Sequence, residues 1–303
     1  MSAEKIRTIA VFALALGLLL AFAVIRPLDQ HGVAETKFWN QKFTAPAEFD
    51  IVAAGDSRIL HGIDGTAFKE AGLGSCLNFG FRGTGLNADY LQSAQDRLSE
   101  QGKRILVLGI TPNNFTPNSA VSSGFTQKRD DVKASKYSAP AWYGDIERRM
   151  QPAKLAEISR FARGRKNPRQ ETLHLGGWSE AAHNKPDEDY ALRYYKVRFD
   201  NNAVQPQRID DACQFLKTSI ENGVRVFAFK PPVSESMTQL ENEKSGFDYA
   251  DFIDKFSQVG GVWIDVDAAK FKTYDGSHLE SASAREFSQW LAVTIKSRVQ
   301  EGD

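Results

Sequence analysis

Short apolar runs and one-faced helical stripes alternate along this chain. The run Ile51 to Ala54, introduced by Asp50, stops at Gly55 and predicts a buried strand. A short helix follows around Phe68, opened by Asp64 as N-cap and closed near Gly72. Leu77 to Phe79 predicts a second strand, Leu86 to Gln101 a helix, and Arg104 to Ile110 a core strand. Further on, Ile209, Cys213, Leu216 and Ile220 share one face of a helix over Arg208 to Asn222, which Gly223 ends. The strand Val224 to Phe229, a helix over Tyr249 to Val259, the strand Val262 to Val266 and a long helix over Leu279 to Val299 complete the pattern. Regular alternation of this kind predicts an α/β fold with a doubly wound parallel sheet. Ligands of such sheets sit beyond the carboxyl ends of the strands, which nominates the loops starting at Gly55, Gly80, Thr111, Lys230 and Asp267.

Between Thr111 and Gln205 the alternation stops for longer than a plain loop allows. This predicts a mainly helical inserted subdomain or lid over about 112–205. It holds a basic amphipathic helix over Ala153 to Arg163, with Leu155, Ile158 and Phe161 apolar, followed by the basic stretch Gly164 to Arg169. That helix reads either as a solvated face or as a surface for anionic lipid or polyanion. Trp142, Tyr143, Tyr194 and Tyr195 in the insertion read either as its small core or as stacking faces for sugars.

The N-terminus differs from all this. Thr8 to Ile25 is a run of eighteen residues without a charge, close to the ~20 that a helix needs to cross a bilayer. Lys5 and Arg7 precede it, while Arg26 and Asp29 roughly cancel behind it, so the bias of positive residues keeps the N-terminus cytoplasmic. The expected organisation is a cytoplasmic tail and transmembrane anchor over 1–26, a juxtamembrane linker over 27–48, and a domain over 49–303 in the periplasm or outside the cell. A cleaved signal peptide, with Ala21-Phe22-Ala23 as its small-residue site, is the competing reading.

Composition narrows the partners. Lysine plus arginine equals aspartate plus glutamate at 38 each, so no net field calls for nucleic acid. Cys76 and Cys213 lie in apolar and helical patterns and read as buried thiols, although an exported compartment would permit a disulfide. No Cys/His cluster has metal-ligand spacing, and the glycines at 80, 83 and 85 lack the lysine or dinucleotide spacing of a phosphate cradle. Neither a metal nor a cofactor is expected.

Gly55-Asp56-Ser57 follows the first core strand directly, which aims Ser57 into the crevice at the strand's end. A serine nucleophile needs a general base, and an imidazole held in one tautomer by a carboxylate supplies it. Asp275-Gly276-Ser277-His278 carries both groups in the turn before the last helix. Asp56 reads as structural and His61 as a rival base without a nearby carboxylate. Arg58 reads either as a bidentate clamp for an anionic substrate group or as an ion-paired residue.

These blocks resemble the SGNH, or GDSL-type, hydrolases: Gly-Asp-Ser after strand one, the glycine block Asn78-Phe79-Gly80-Phe81-Arg82-Gly83, and Asp-x-x-His before the final helix. The resemblance implies a flavodoxin-like sheet, with Ser57 as nucleophile, His278 as base and Asp275 as its orienter. It also implies an oxyanion hole from the backbone amides of Ser57 and Gly83 and an asparagine after strand three. Thr111 stands where that asparagine is expected and Asn113 comes two residues late, so either Asn113 reaches in or the donor is missing. With the anchor, the chain looks like single-pass envelope proteins that add or remove O-acyl groups on a cell-surface polysaccharide, served by a multi-spanning membrane-bound O-acyltransferase. A catalytically inactive glycan-binding or scaffolding relative and a secreted esterase are the other expectations left open.

Overall fold

The computed structural model describes residues 2–25, 30–121, 123–134, 163, 169–183, 187 and 189–301. Its strands are β1 (Gln30–Gly32), β2 (Ile51–Gly55), β3 (Cys76–Gly80), β4 (Ile105–Gly109), β5 (Arg169–Leu173), β6 (Ser179–His183), β7 (Arg225–Phe229) and β8 (Val262–Ile264). Five of them make one parallel sheet in the order β3-β2-β4-β7-β8. Counted within that sheet the order is 2-1-3-4-5, the flavodoxin-like arrangement, whose switch point lies at the first strand.

The unbroken apolar runs have a simple cause: both faces of this sheet are covered. Val52, Ala54, Leu106, Leu108 and Ala228 pack on one side with the helix Pro206–Glu221 and the aromatic residues Phe79, Tyr90 and Phe252. Ile51, Ala53, Ile105, Val107 and Phe229 pack on the other with Phe287, Leu291 and Ile295 of the helix Ser281–Glu301. The two-residue period of a strand sends alternate side chains to opposite layers. The same geometry keeps the two cysteines apart. Cys76 belongs to one layer and Cys213 to the other, and both are buried free thiols. Burial pushes both thiols up, Cys213 to about 11.

Three elements differ from expectation. The helix expected over Leu86 to Gln101 is Ala88–Gln95, capped by the Asn87 side chain, and the chain beyond it pairs Leu98 with Phe49. The stretch 35–44, expected to be part of a polar connector, is the helix Glu35–Thr44, with Phe38, Trp39 and Lys42 buried. Its aromatics fall on one helical face, so a segment of mixed composition still has an apolar side. The Lys42 ammonium donates to the Gly80 carbonyl at 2.8 Å, with the Phe38 and Phe81 ring centroids each 5.0 Å away.

The insertion is the third. Among the described residues it contributes a hairpin, with β5 and β6 antiparallel and β5 parallel to β1, as well as helices. The expectation of a mainly helical subdomain missed it because Arg169 to Leu173 is too polar to read as a buried strand. The basic helix expected over 153–163, apart from Arg163, lies outside the described residues, as do Trp142 and Tyr143. At the N-terminus a helix runs over Ala3–Ile25, its side chains at 19–25 lying outside the described residues. Among the described residues no helix is long and apolar enough to cross a membrane.

Candidate active site

The helix Ser57–Gly62 starts immediately beyond β2 and lies against the ends of the neighbouring strands. Gly80 makes that approach possible, since a Cβ there would stand 2.3 Å from the Leu60 nitrogen. Asn78 ties the helix down, donating to the carbonyls of Ile59 at 2.7 Å and Ile63 at 2.8 Å while its side-chain oxygen accepts from Gly80 N–H. The Tyr90 hydroxyl accepts from Gly55 N–H at 2.7 Å and lies 2.6 Å from the Phe79 carbonyl. These buried bonds hold the first residue of the helix in one place.

Asp56 caps the helix, its Oδ1 accepting from Arg58 N–H at 2.9 Å and its Oδ2 from the Thr111 hydroxyl at 2.8 Å. It is the structural aspartate the sequence indicates. Thr111 is thereby occupied in joining the loops after β2 and β4.

Ser57 meets the far end of the chain. Its Oγ lies 2.8 Å from His278 Nε2, and His278 Nδ1 lies 2.8 Å from Asp275 Oδ2. The other Asp275 oxygen accepts the backbone N–H groups of Ser277 and His278 at 2.9 and 2.8 Å, which fixes the carboxylate's orientation. Gly276, at φ 84, makes the tight turn this requires. Burial by itself would raise the Asp275 carboxyl, but the hydrogen bond and charge of His278 and the two backbone donors outweigh it and hold it at about 2. A carboxylate at Nδ1 selects the tautomer with the proton on that nitrogen, leaving Nε2 as the acceptor for the serine hydroxyl. Such a chain can take a proton from Ser57 as its oxygen attacks an electrophilic carbon.

His61, the rival base, has its Nδ1 2.7 Å from the Ser179 carbonyl and its ring edge-on to His278 at 5.5 Å. It borders the cleft, but the hydrogen bond to Ser57 Oγ is His278's. Arg58 is not in the cleft at all. It is buried, donating to Glu241 Oε1 at 2.5 Å and to Ser277 Oγ at 3.0 Å, with the Tyr195 ring 5.5 Å away. Of the two readings of Arg58, the ion-paired one describes its position and the substrate clamp does not. Burial alone would lower the guanidinium, while the charge and hydrogen bond of Glu241 raise it beyond its usual value. Arg58 thus braces the turn that carries His278.

The cleft over Ser57 has a volume of about 210 Å³. Gly83, in the left-handed region at φ 62, lines it together with Asn113, Arg82, Tyr190, Tyr194, Arg198 and Tyr274. Among the described residues, neither the Ser57 nor the Gly83 backbone N–H donates to a protein group. Asn113 sits in the 3₁₀ turn Pro112–Phe115, which Asn114 closes by accepting Thr111 N–H at 2.8 Å. That turn brings Asn113 to the cleft although it comes two residues late. Tyr194 is an exposed cleft wall, whereas Tyr195, which also borders the cleft, packs with Ala191, Phe199 and Met237 in a small core, as one of the two readings of these aromatics has it. Sequence reasoning missed Tyr190, Arg198, Tyr274 and Glu241. The stripe at 190, 194 and 198 was a readable signal of one helix face, while nothing local marks Glu241.

No family model and no curated protein matches this chain. Among solved structures it is similar to a candidate platelet activating factor from Streptococcus pneumonia, at 13% identity and a TM-score of 0.40 over 95% of this chain and 98% of that one. It is also similar to the native M. smegmatis aryl esterase, at 12% identity and a TM-score of 0.37 over 82% of this chain and 98% of that one. Values this low leave the chemistry of the cleft to be read from its own residues.

Proposed function

We propose that this chain is an SGNH-type serine esterase or O-acyltransferase that works through an acyl-Ser57 intermediate. The observation that carries this reading is the unbroken line Ser57 Oγ, His278, Asp275, with 2.8 Å at each step, opening on a cleft. Ser57 Oγ adds to the ester carbonyl as its proton passes to His278 Nε2. The oxyanion faces the Ser57 and Gly83 amides and the Asn113 side chain, each well-placed donor contributing about 3 kcal/mol. Collapse of the tetrahedral species breaks the ester C–O bond, and His278 returns the proton to the leaving alcohol. Water or a second hydroxyl then attacks the acyl-serine, giving its proton to His278 and restoring free Ser57.

The finer reading rests on the sequence. Eighteen uncharged residues over Thr8 to Ile25 suit a membrane anchor with the cleft on the outer side. A sugar hydroxyl of a cell-surface polysaccharide is then the natural acyl acceptor, and its ester the natural acyl donor, with a membrane-bound O-acyltransferase as partner. Tyr190 and Tyr194 on the cleft wall supply faces on which a sugar ring can stack.

A fluorophosphonate probe tests the core of this reading. The wild-type chain is expected to label and Ser57→Ala to remain unlabelled; an unlabelled wild type, or equal labelling of both, overturns the enzyme in favour of a non-catalytic glycan-binding relative.

A further inference from the structure

We infer that Arg198 is a positioning residue that fixes the Asn113 amide with its N–H groups toward the cleft, so that the inserted helix Tyr190–Arg198 completes the oxyanion site. The inference rests on the esterase reading above.

Arg198 Nε donates to the Asn113 side-chain oxygen at 2.9 Å. An asparagine amide can turn over about its last torsion, and the two faces have opposite meaning for a developing negative charge: NH₂ stabilises it and C=O repels it. A guanidinium has donors and no acceptor, so it can hold only the oxygen. Among the described residues Asn113 Nδ2 donates to no protein group, and it is not one of the fully enclosed polar atoms. The amide is therefore anchored by its oxygen with its donors left for the cleft that Asn113 lines.

Arg198 is itself held. Its Nη1 donates to the Tyr194 hydroxyl at 2.8 Å, one helical turn back. At the other end of this helix, Ala191 N–H donates to the Asp275 carbonyl at 3.1 Å. The helix thus spans the cleft from the backbone of Asp275, whose carboxylate orients His278, to the Asn113 amide. Among the described residues no carboxylate pairs with Arg198, so its charge adds to the field on the oxyanion side and strengthens Asn113 as a donor.

The test is a double-mutant cycle on the full-length chain with 4-nitrophenyl acetate, reading kcat and KM separately. Asn113→Ala is expected to lower kcat by about 100-fold or more. Arg198→Met is expected to lower kcat by about 10-fold with KM nearly unchanged, and to do almost nothing further in the Asn113→Ala background. Arg198→Lys, which keeps a donor, should recover part of the loss. Asn113→Asp keeps the oxygen for Arg198 and thus the fold, but replaces the donor with an acceptor, and should lose at least as much as Asn113→Ala. If Arg198→Met costs the same with and without the Asn113 amide, or acts through KM, the positioning role is overturned while the esterase stands. A wild type that neither turns over ester nor labels with fluorophosphonate overturns the esterase reading and this inference together.

Discussion

Asp275 holds His278 twice, through the backbone N–H at one oxygen and the imidazole Nδ1 at the other, both at 2.8 Å. One side chain therefore sets both where the histidine starts and which way its ring faces. Replacing it by asparagine would keep the shape but place an NH₂ or a neutral oxygen at Nδ1. Asp275→Asn is expected to lower kcat by roughly 10³–10⁴-fold with little change in fold, checked by ester turnover and circular dichroism.

The same carboxylate predicts an acid limb in stability. Its folded pKa of about 2 lies below the ordinary 3.8, so the folded state binds fewer protons than the unfolded state between those values. The stabilisation, about 2 kcal/mol, is present above pH 3.8 and is lost as pH falls through 2. Urea midpoints measured from pH 5 to pH 2 should fall more steeply for the wild type than for Asp275→Asn.

Lys42 predicts a second limb of the same sign at higher pH. Burial holds its ammonium well below the ordinary lysine range. Between that lowered pKa and 10.5 the unfolded chain binds more protons, so stability rises with pH across that window. Lys42→Met should flatten this rise, as read from melting temperatures on the alkaline side.

The buried pair Arg58–Glu241 joins the serine helix to the helix Glu235–Lys244. Arg58→Met leaves Glu241 buried without its cation and is expected to destabilise by about 3–5 kcal/mol. Arg58→Met/Glu241→Leu should recover most of that in chemical denaturation. Ester turnover should stay low in the double variant, because Ser277 has lost the guanidinium that steadies the His278 turn.

Tyr90 makes a smaller, cleaner case. Tyr90→Phe removes a hydroxyl that accepts from Gly55 N–H in a fully buried position. The orphaned amide should cost about 1–3 kcal/mol in denaturant titration.

The sequence by itself determined the parallel strands and their layers, because continuous apolar runs and one-faced stripes are local consequences of burial on one or both sides. It also marked Ser57, Asp275 and His278, since a serine just past a strand and a carboxylate three residues before a histidine are short-range patterns. Their meeting across 221 residues depends on the strand order, which only the fold supplies. Tertiary structure alone decided that Arg58 turns inward to Glu241, 183 residues away, and that Asn113 is held by Arg198, 85 residues away. It also decided that residues 35–44 dock as a helix with Lys42 against Gly80. A charged or amide side chain carries no local sign of its partner. Where it points is set by which desolvated acceptor lies opposite it, and that is known only once the sheet and its layers are assembled.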